Sequence, residues 1–176
     1  MITIRQEEST DWAEVKKVIE EAFATMTMSD HREHFLVDRL RHSEYFIPEL
    51  SLVAVNAEGN IVGHVMPTKV NLETADCKEE ILALAPLSVH PPFQRQGIGT
   101  SLIKEAESIA HRLGYKYIAI LGDPTYYGKF GYKRASDYRI KFSIDAPEEY
   151  CLIKEIISDG IKEEAATLVY PDVFFQ

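Results

Sequence analysis

Cysteine is nearly missing from this chain: Cys77 and Cys151 are the only two, far apart and outside any Cys-x-x-Cys pattern. That scarcity excludes a disulfide-stapled scaffold and points to free thiols in a reducing compartment. No apolar run approaches the ~20 residues that span a bilayer. The start, Met1-Ile2-Thr3-Ile4-Arg5-Gln6-Glu7, lacks the apolar core of a signal peptide. The expectation is a cytoplasmic protein with no membrane partner. The six histidines show no His-Glu-x-x-His or Cys/His spacing, so no metal is expected. Basic residues are in the minority, 19 against 28 acidic ones, for a net charge of −9. That balance opposes nucleic acid, which rewards basic surfaces. It favours a cationic substrate such as an amine, although acidity also serves solubility. Repeats, low-complexity tracts and linkers are absent.

What remains is the composition of an ordinary globular protein, 45% hydrophobic and 27% charged. A length of 176 residues suits one domain spanning 1–176. Ile2 and Ile4 alternate with polar neighbours, which predicts a strand over 2–6. Asp11 and Glu14 have capping-box spacing ahead of a helix carrying Trp12, Val15, Val18, Ile19, Ala22 and Phe23 at helical intervals. A second helix follows, with Phe35, Leu36, Val37 and Leu40 on its apolar side, ending near His42. Residues 51–56 and 61 to about 72 read as strands joined by a turn at Glu58-Gly59-Asn60. Residues 73–79 are polar and read as a loop. Residues 80–89 are nearly all apolar, as in a central strand covered on both faces. Pro86 inside that run removes a ladder donor and marks a bulge or opening.

A helix over 97–113 carries Ile98, Leu102, Ile103, Ala106, Ile109, Ala110 and Leu113 on one stripe and stops at Gly114. Tyr117–Leu121 reads as a short buried strand, and strand–helix–strand order predicts a right-handed parallel crossover. Pro124 opens a short helix that carries Tyr126, Tyr127 and Phe130 and stops at Gly131-Tyr132. Residues 138–144 and 149–156 read as two closing antiparallel strands. The tail, 158–176, has an Asp159-Gly160 turn, a helix-compatible patch and an apolar end, Leu168 to Phe175, that is expected to dock.

The chemistry concentrates in Leu87-Ser88-Val89-His90-Pro91-Pro92-Phe93-Gln94-Arg95-Gln96-Gly97-Ile98-Gly99-Thr100, where an apolar strand runs through a turn into a helix. Helix-start N–H groups lack intrahelical partners and sit at the positive end of the dipole, so they can hold an anion. Gly97 and Gly99 carry no side chain to fence off the backbone, and Arg95 adds a cation. The stretch lacks the third Gly of a dinucleotide fingerprint and the Gly-Lys-Ser/Thr of a P-loop. Two glycines alone also fit a turn that uses them for geometry only.

Gln94-x-x-Gly97-x-Gly99 resembles motif A of the GCN5-related N-acetyltransferases (GNAT). Tyr127-Gly-Lys-Phe130-Gly131-Tyr132, about thirty residues on, resembles the family's second recurring stretch; such combinations carry more than either motif alone. Leu36-Val-Asp-Arg-Leu-Arg41, Ile61-Val-Gly-His64, Pro86-Leu-Ser-Val-His-Pro91 and Leu121-Gly-Asp-Pro-Thr-Tyr-Tyr127 are similar to the YhbS-like subgroup of that family.

The resemblance implies an α+β fold. Its central sheet is mixed and mostly antiparallel, of six to seven strands, with a parallel pair at the cofactor cleft and about four helices. It implies an N-acetyltransferase that moves acetyl from acetyl-CoA, without a metal, to a primary amine by direct attack. The acceptor would be a small molecule or a protein, and the enzyme a monomer or homodimer. It also implies cofactor contacts from Leu87, Ser88, Val89, Gln94, Arg95, Gln96, Gly97, Ile98, Gly99, Thr100, Tyr127 and Phe130. The Leu87 amide would face the acetyl carbonyl. Tyr127 would be the acid that protonates the leaving sulfur; Tyr126 is a second candidate, and both tyrosines also fit simple helix packing. Many family members carry Asn six residues before that Tyr, where this chain has Leu121. Glu33, His34, His64, Glu79 and Glu80 are candidate bases, and none is assigned. An alternative is a non-catalytic acyl-CoA-binding module of the same fold.

Overall fold

The structure is a computed structural model that describes residues 1–27, 29–158 and 164–176. Nine strands form one sheet among the described residues. They are β1 (Thr3–Gln6), β2 (Leu52–Val55), β3 (Ile61–Glu73), β4 (Lys78–Val89), β5 (Tyr117–Leu121), β6 (Lys133–Arg134), β7 (Ile140–Phe142), β8 (Cys151–Glu155) and β9 (Ala166–Val169). The main path runs β1-β2-β3-β4-β5-β8-β6, and β9 pairs with both β3 and β7. The β4–β5 and β7–β9 pairs are parallel and all others antiparallel. The described residues also form four α-helices: α1 (Trp12–Phe23), α2 (Glu33–Arg41), α3 (Ile98–Arg112) and α4 (Pro124–Tyr127). The fold is a mixed, mostly antiparallel α+β arrangement with a parallel pair at β4–β5, as the resemblance implies.

Side-chain alternation assigns the two faces. Helix α3 lays Ile98, Leu102, Ile103, Ala106 and Ala110 on Ala54, Val65, Leu82, Leu84, Ile118 and Ile120. Gly63 lets α3 approach, since a Cβ there would lie 3.0 Å from Leu102 Cδ1. On the opposite face, α1 and α2 bury Val15, Val18, Ile19, Val37 and Leu40 against Val53, Ile61 and Met66. Farther along that face, Val70, Ile81, Ala119, Ile140, Ile153 and Leu168 form a separate cluster.

Several local expectations change. The capping box lies one turn earlier than Asp11/Glu14: Glu8 and Asp11 cap a short 3₁₀ turn ahead of α1. Asp11 is held by the Arg5 guanidinium, and Glu14 instead accepts the Ile61 N–H at 2.9 Å. Phe35 is 48% exposed, so the buried side of α2 is Val37 and Leu40. The loop after β3 is only residues 74–77, because β3 and β4 pair out to Glu73↔Lys78. Strands β7 and β8 do not pair with each other: β7 runs parallel to β9, and β8 antiparallel to β5 and β6. Alternation marks a strand but not its partner. The expected Asp159-Gly160 turn lies outside the described residues.

Candidate active site

The site begins where β4 and β5 stop pairing. Their ladder is only Leu82↔Ile118 and Ala83↔Ala119, although β4 continues to Val89 and β5 to Leu121. Against β3, the β4 register moves from Leu84↔Pro67 to Leu87↔Val65, an extra residue on β4 and therefore a bulge. It contains Pro86, which brings no N–H, and the Ala85–Pro86 peptide is cis. The bulge turns both Leu84 and Leu87 toward α3. Beyond it the β5-facing edge of β4 has no strand partner among the described residues. The two strands thus diverge into a cleft lined by backbone groups.

The mouth of that cleft is the N-terminus of α3. Arg95 (φ 64°) and Gly97 (φ 86°) are both left-handed, and such alternation turns successive N–H groups toward one concavity. No side chain caps the helix, and its first bond runs from the Ser101 N–H to the Gly97 carbonyl at 3.0 Å. The N–H groups of Ile98, Gly99 and Thr100 precede it. A Cβ at Gly97 would meet nothing within 4 Å, so this is open space over bare backbone. The first turn has no acidic residue, and Arg95 is exposed beside it. The arrangement is built to hold an anion such as a diphosphate. The remaining expected residues have distinct places. Gln94 donates from Nε2 to the Val89 carbonyl at 3.0 Å, tying the loop to the end of β4. Gln96 reaches the Pro92 carbonyl at 3.4 Å. The Ile98 side chain is in the core, leaving only its amide.

Tyr126, Tyr127 and Phe130 wall the cleft from the β5 side. The Tyr126 hydroxyl lies 2.7 Å from where a Gly99 Cβ would stand, with Leu87 and Val89 side chains next nearest, and it hydrogen-bonds Thr100. A side chain at Gly99 would displace it. Phe130 meets the Tyr126 ring edge-on at 5.4 Å. The Tyr127 ring packs across Gly122, where a Cβ would come within 2.4 Å of it. That contact accounts for a glycine directly after Leu121. Burial raises the Tyr127 phenol well above its ordinary pKa, with Tyr126 and Asp123 adding to the shift. It therefore stays protonated at neutral pH, the form a proton donor needs. Tyr126 moves the same way for the same reason, more mildly.

Among Leu87, Ser88 and Val89, it is Ser88 whose side chain takes the other face of the sheet. Its neighbours Leu87 and Val89 face α3, whereas its own side chain points to the α1/α2 face and is 1% exposed. There it stands opposite His64. The remaining candidate bases are spread out. His34 pairs with Glu20 at 3.3 Å and Glu33 with Ser29; all but Ser29 line a depression of about 380 Å³ with Phe23, Ala24 and His31. Glu79 sits by Lys116 at 3.7 Å and Glu80 accepts from Tyr115 at 3.3 Å. One group missed by sequence reasoning is the His90–Glu21 pair, which joins the end of β4 to α1. Its two members are far apart in the chain, and no local pattern links them. Among the described residues no cluster of three or more His, Cys, Asp or Glu could hold a metal, and no helix is long and apolar enough to cross a membrane.

A splayed parallel pair with an uncapped, glycine-bearing helix start at its mouth defines an acyltransferase cleft, and the family model of the Acetyltransferase (GNAT) family matches residues 12–132. The chain belongs to that family and is an N-acetyltransferase of the YhbS-like kind. Two Escherichia coli (strain K12) relatives are similar along most of their length. YhbS, an uncharacterized N-acetyltransferase, is 25% identical over 154 residues, 88% of this chain and 90% of the relative. YjhQ, also an uncharacterized N-acetyltransferase, is 30% identical over 144 residues, 81% of this chain and 76% of the relative. A GNAT acetyltransferase from Brucella melitensis, solved with acetyl-CoA, superposes with TM-score 0.78 at 28% identity, covering 99% of this chain and 98% of that one. Escherichia coli YhbS solved with CoA has the same fold, with TM-score 0.87 at 22% identity and coverage of 99% and 92%.

Proposed function

We propose that the protein transfers the acetyl group of acetyl-CoA to a primary amine by direct attack in a ternary complex. The observation that carries this reading is the coincidence, in one cleft, of the bare helix start at Gly97–Thr100 and the unpaired edge of β4. The first fits a diphosphate, and the second fits the amide-bearing arm of the coenzyme as an added strand. Acetyl-CoA supplies the activated thioester. The protein's part is to hold it and to place charge.

In this reading the amides of Ile98, Gly99 and Thr100, with Arg95, hold the diphosphate, while Gln94 fixes the loop. Backbone groups of Leu87 and Val89 bond the pantetheine arm, and the Leu87 N–H stabilises the oxyanion. Removing one such donor in other enzymes costs about 3 kcal/mol. Tyr127, protonated at neutral pH, gives its proton to the leaving sulfur. Tyr126 and Phe130 close the wall beside the arm, and Tyr126 gives way from Gly99 as the coenzyme enters. The depression between α1 and α2, with its carboxylates, suits a cationic acceptor. Two free cysteines fit a cytoplasmic setting. An acidic surface fits work without nucleic acid or membrane, as a monomer or homodimer.

Thiol release from acetyl-CoA across a panel of amines tests the reading. Turnover with at least one amine is expected, and Tyr127→Phe should lower kcat by about 100-fold. Unchanged turnover in Tyr127→Phe from pH 6 to 9 removes that residue from the mechanism. Coenzyme binding without transfer to any amine would instead favour the non-catalytic module.

A further inference from the structure

Tyr126 stands next to the candidate acid in the chain, but its side chain goes elsewhere. The Tyr127 ring folds over Gly122, whereas Tyr126 reaches across the cleft. Its hydroxyl ends over the first turn of α3, 2.7 Å from where a Gly99 Cβ would stand. The next nearest atoms to that point are Leu87 Cδ2 and Val89 Cγ2 of β4, both at 3.8 Å. The hydroxyl is also hydrogen-bonded to the Thr100 side chain. The contrast with Gly97, two residues earlier, is sharp. There the residue is exposed and a Cβ would meet nothing within 4 Å, whereas Gly99 is buried. Tyr126 is the nearest part of the cover over Gly99. At its other end the phenol is anchored in α4. Its ring meets Tyr127 edge-on at 5.0 Å and Phe130 at 5.4 Å. The turn below is fixed by the Asp123 carboxylate, which accepts the Thr125 N–H at 2.8 Å. One side chain therefore joins the β5 wall of the cleft to the wall made by α3 and β4.

We propose that Tyr126 is a latch across the coenzyme cleft: its hydroxyl ties α4 to the first turn of α3, and the latch and acetyl-CoA compete for the same space. This rests on the acetyltransferase reading, which takes the pantetheine arm past Leu87 and Val89 to a diphosphate at Ile98–Thr100. The Tyr126 hydroxyl lies between those two places. Under it there is no room at Gly99 for one extra carbon. A coenzyme that reaches the Gly99 amide therefore requires the phenol to swing out. The swing breaks one hydrogen bond and leaves Tyr127 in place over Gly122. A single hydrogen bond has a modest net strength, so the latch tunes affinity without blocking entry. When only a fraction of the protein is competent to bind, apparent affinity falls by that fraction. The two adjacent tyrosines thus act with opposite signs. Loss of the hydroxyl at 127 removes a proton donor, and loss of the hydroxyl at 126 releases the cleft.

Tyr126→Phe keeps the ring and its edge contacts and removes only the hydroxyl. Calorimetry with CoA and with acetyl-CoA should show binding about 5-fold tighter than in the wild type, the equivalent of one net hydrogen bond. The sign decides the matter. Weaker binding in Tyr126→Phe would mean that the hydroxyl holds the coenzyme, and unchanged binding would mean that it does not compete; either result overturns the latch. A second measurement needs no coenzyme and no amine. Urea unfolding of the wild type, Tyr126→Phe, Thr100→Val and the double variant forms a cycle. Both single changes break the same bond, so their effects on the unfolding midpoint should fall short of adding in the double variant. Full additivity would show that no bond joins the two walls and overturns the latch as well. If wild-type protein binds neither CoA nor acetyl-CoA, the acetyltransferase reading itself fails, whereas the tie between α4 and α3 still stands or falls by the cycle.

Discussion

Acidification should destabilise this protein through one residue, His64. The imidazole is completely buried, and burial pushes its pKa from 6.5 down to about 4; Glu7 opposes the shift and Arg41 adds to it. The unfolded chain therefore binds a proton between pH 6.5 and about 4 that the native protein refuses. Stability rises with pH wherever the unfolded state holds more protons. The contribution is complete above pH 6.5 and is lost as pH falls toward 4. A shift from 6.5 to about 4, at 1.36 kcal/mol per unit, corresponds to on the order of 3 kcal/mol. Asp11, held below its ordinary value first by its hydrogen bond to Arg5, loses its contribution below pH 3.8, outside this window. Urea unfolding at pH 7.5, 6.5, 5.5 and 4.5 measures the effect. Fluorescence of Trp12, the one tryptophan, reports the transition; its ring lies 5.0 Å from the Arg41 guanidinium. His64→Asn should be less stable at pH 7.5 but flatter across the series. Equal slopes for variant and wild type would refute the argument, because the proton uptake would then belong elsewhere.

Gly97→Ala forces a Cβ onto a left-handed residue at no steric contact. It should cost about 1–2 kcal/mol and weaken acetyl-CoA binding measured by calorimetry. Gly122→Ala meets the Tyr127 ring; it should lower stability by about 1–3 kcal/mol and shift the tyrosine near-UV dichroism as the ring is expelled. Arg41→Ala leaves the Glu7 carboxylate, its ion-pair partner, buried and unpaired, and chemical denaturation should show a loss of about 3–5 kcal/mol.

The parts of this architecture that obey short-range rules were readable from residue order. Helix α3 announces itself by its stripe from Ile98 to Ala110 and by Gly114 beyond it, and the anion-binding bend by Gly97 and Gly99. Pro86 marks the bulge because a missing N–H is a local property. What escaped depends on partners distant in the chain. Nothing near Glu7 signals that it will meet Arg41 from α2 and His64 from β3. Ser88 looks like its neighbours until the bulge fixes which face it takes. Strand β9 is short, and only its docking between β3, at Asn71, Leu72 and Glu73, and β7 makes it a strand. Asp11 serves two partners at once: its carboxylate accepts the Glu8 N–H of the 3₁₀ cap and also binds Arg5.

The brevity of the β4–β5 ladder has a mechanical consequence. Among the described residues the ladder between the N-terminal part of the sheet and β5 has two rungs, at Leu82 and Ala83. A molecule with amide groups of its own, lying between the diverging strands, would act as the missing seam and stiffen both halves together. Amide hydrogen exchange along 84–89 should therefore slow sharply once the seam is filled. The enzyme would reach its full rigidity only in company with what it carries.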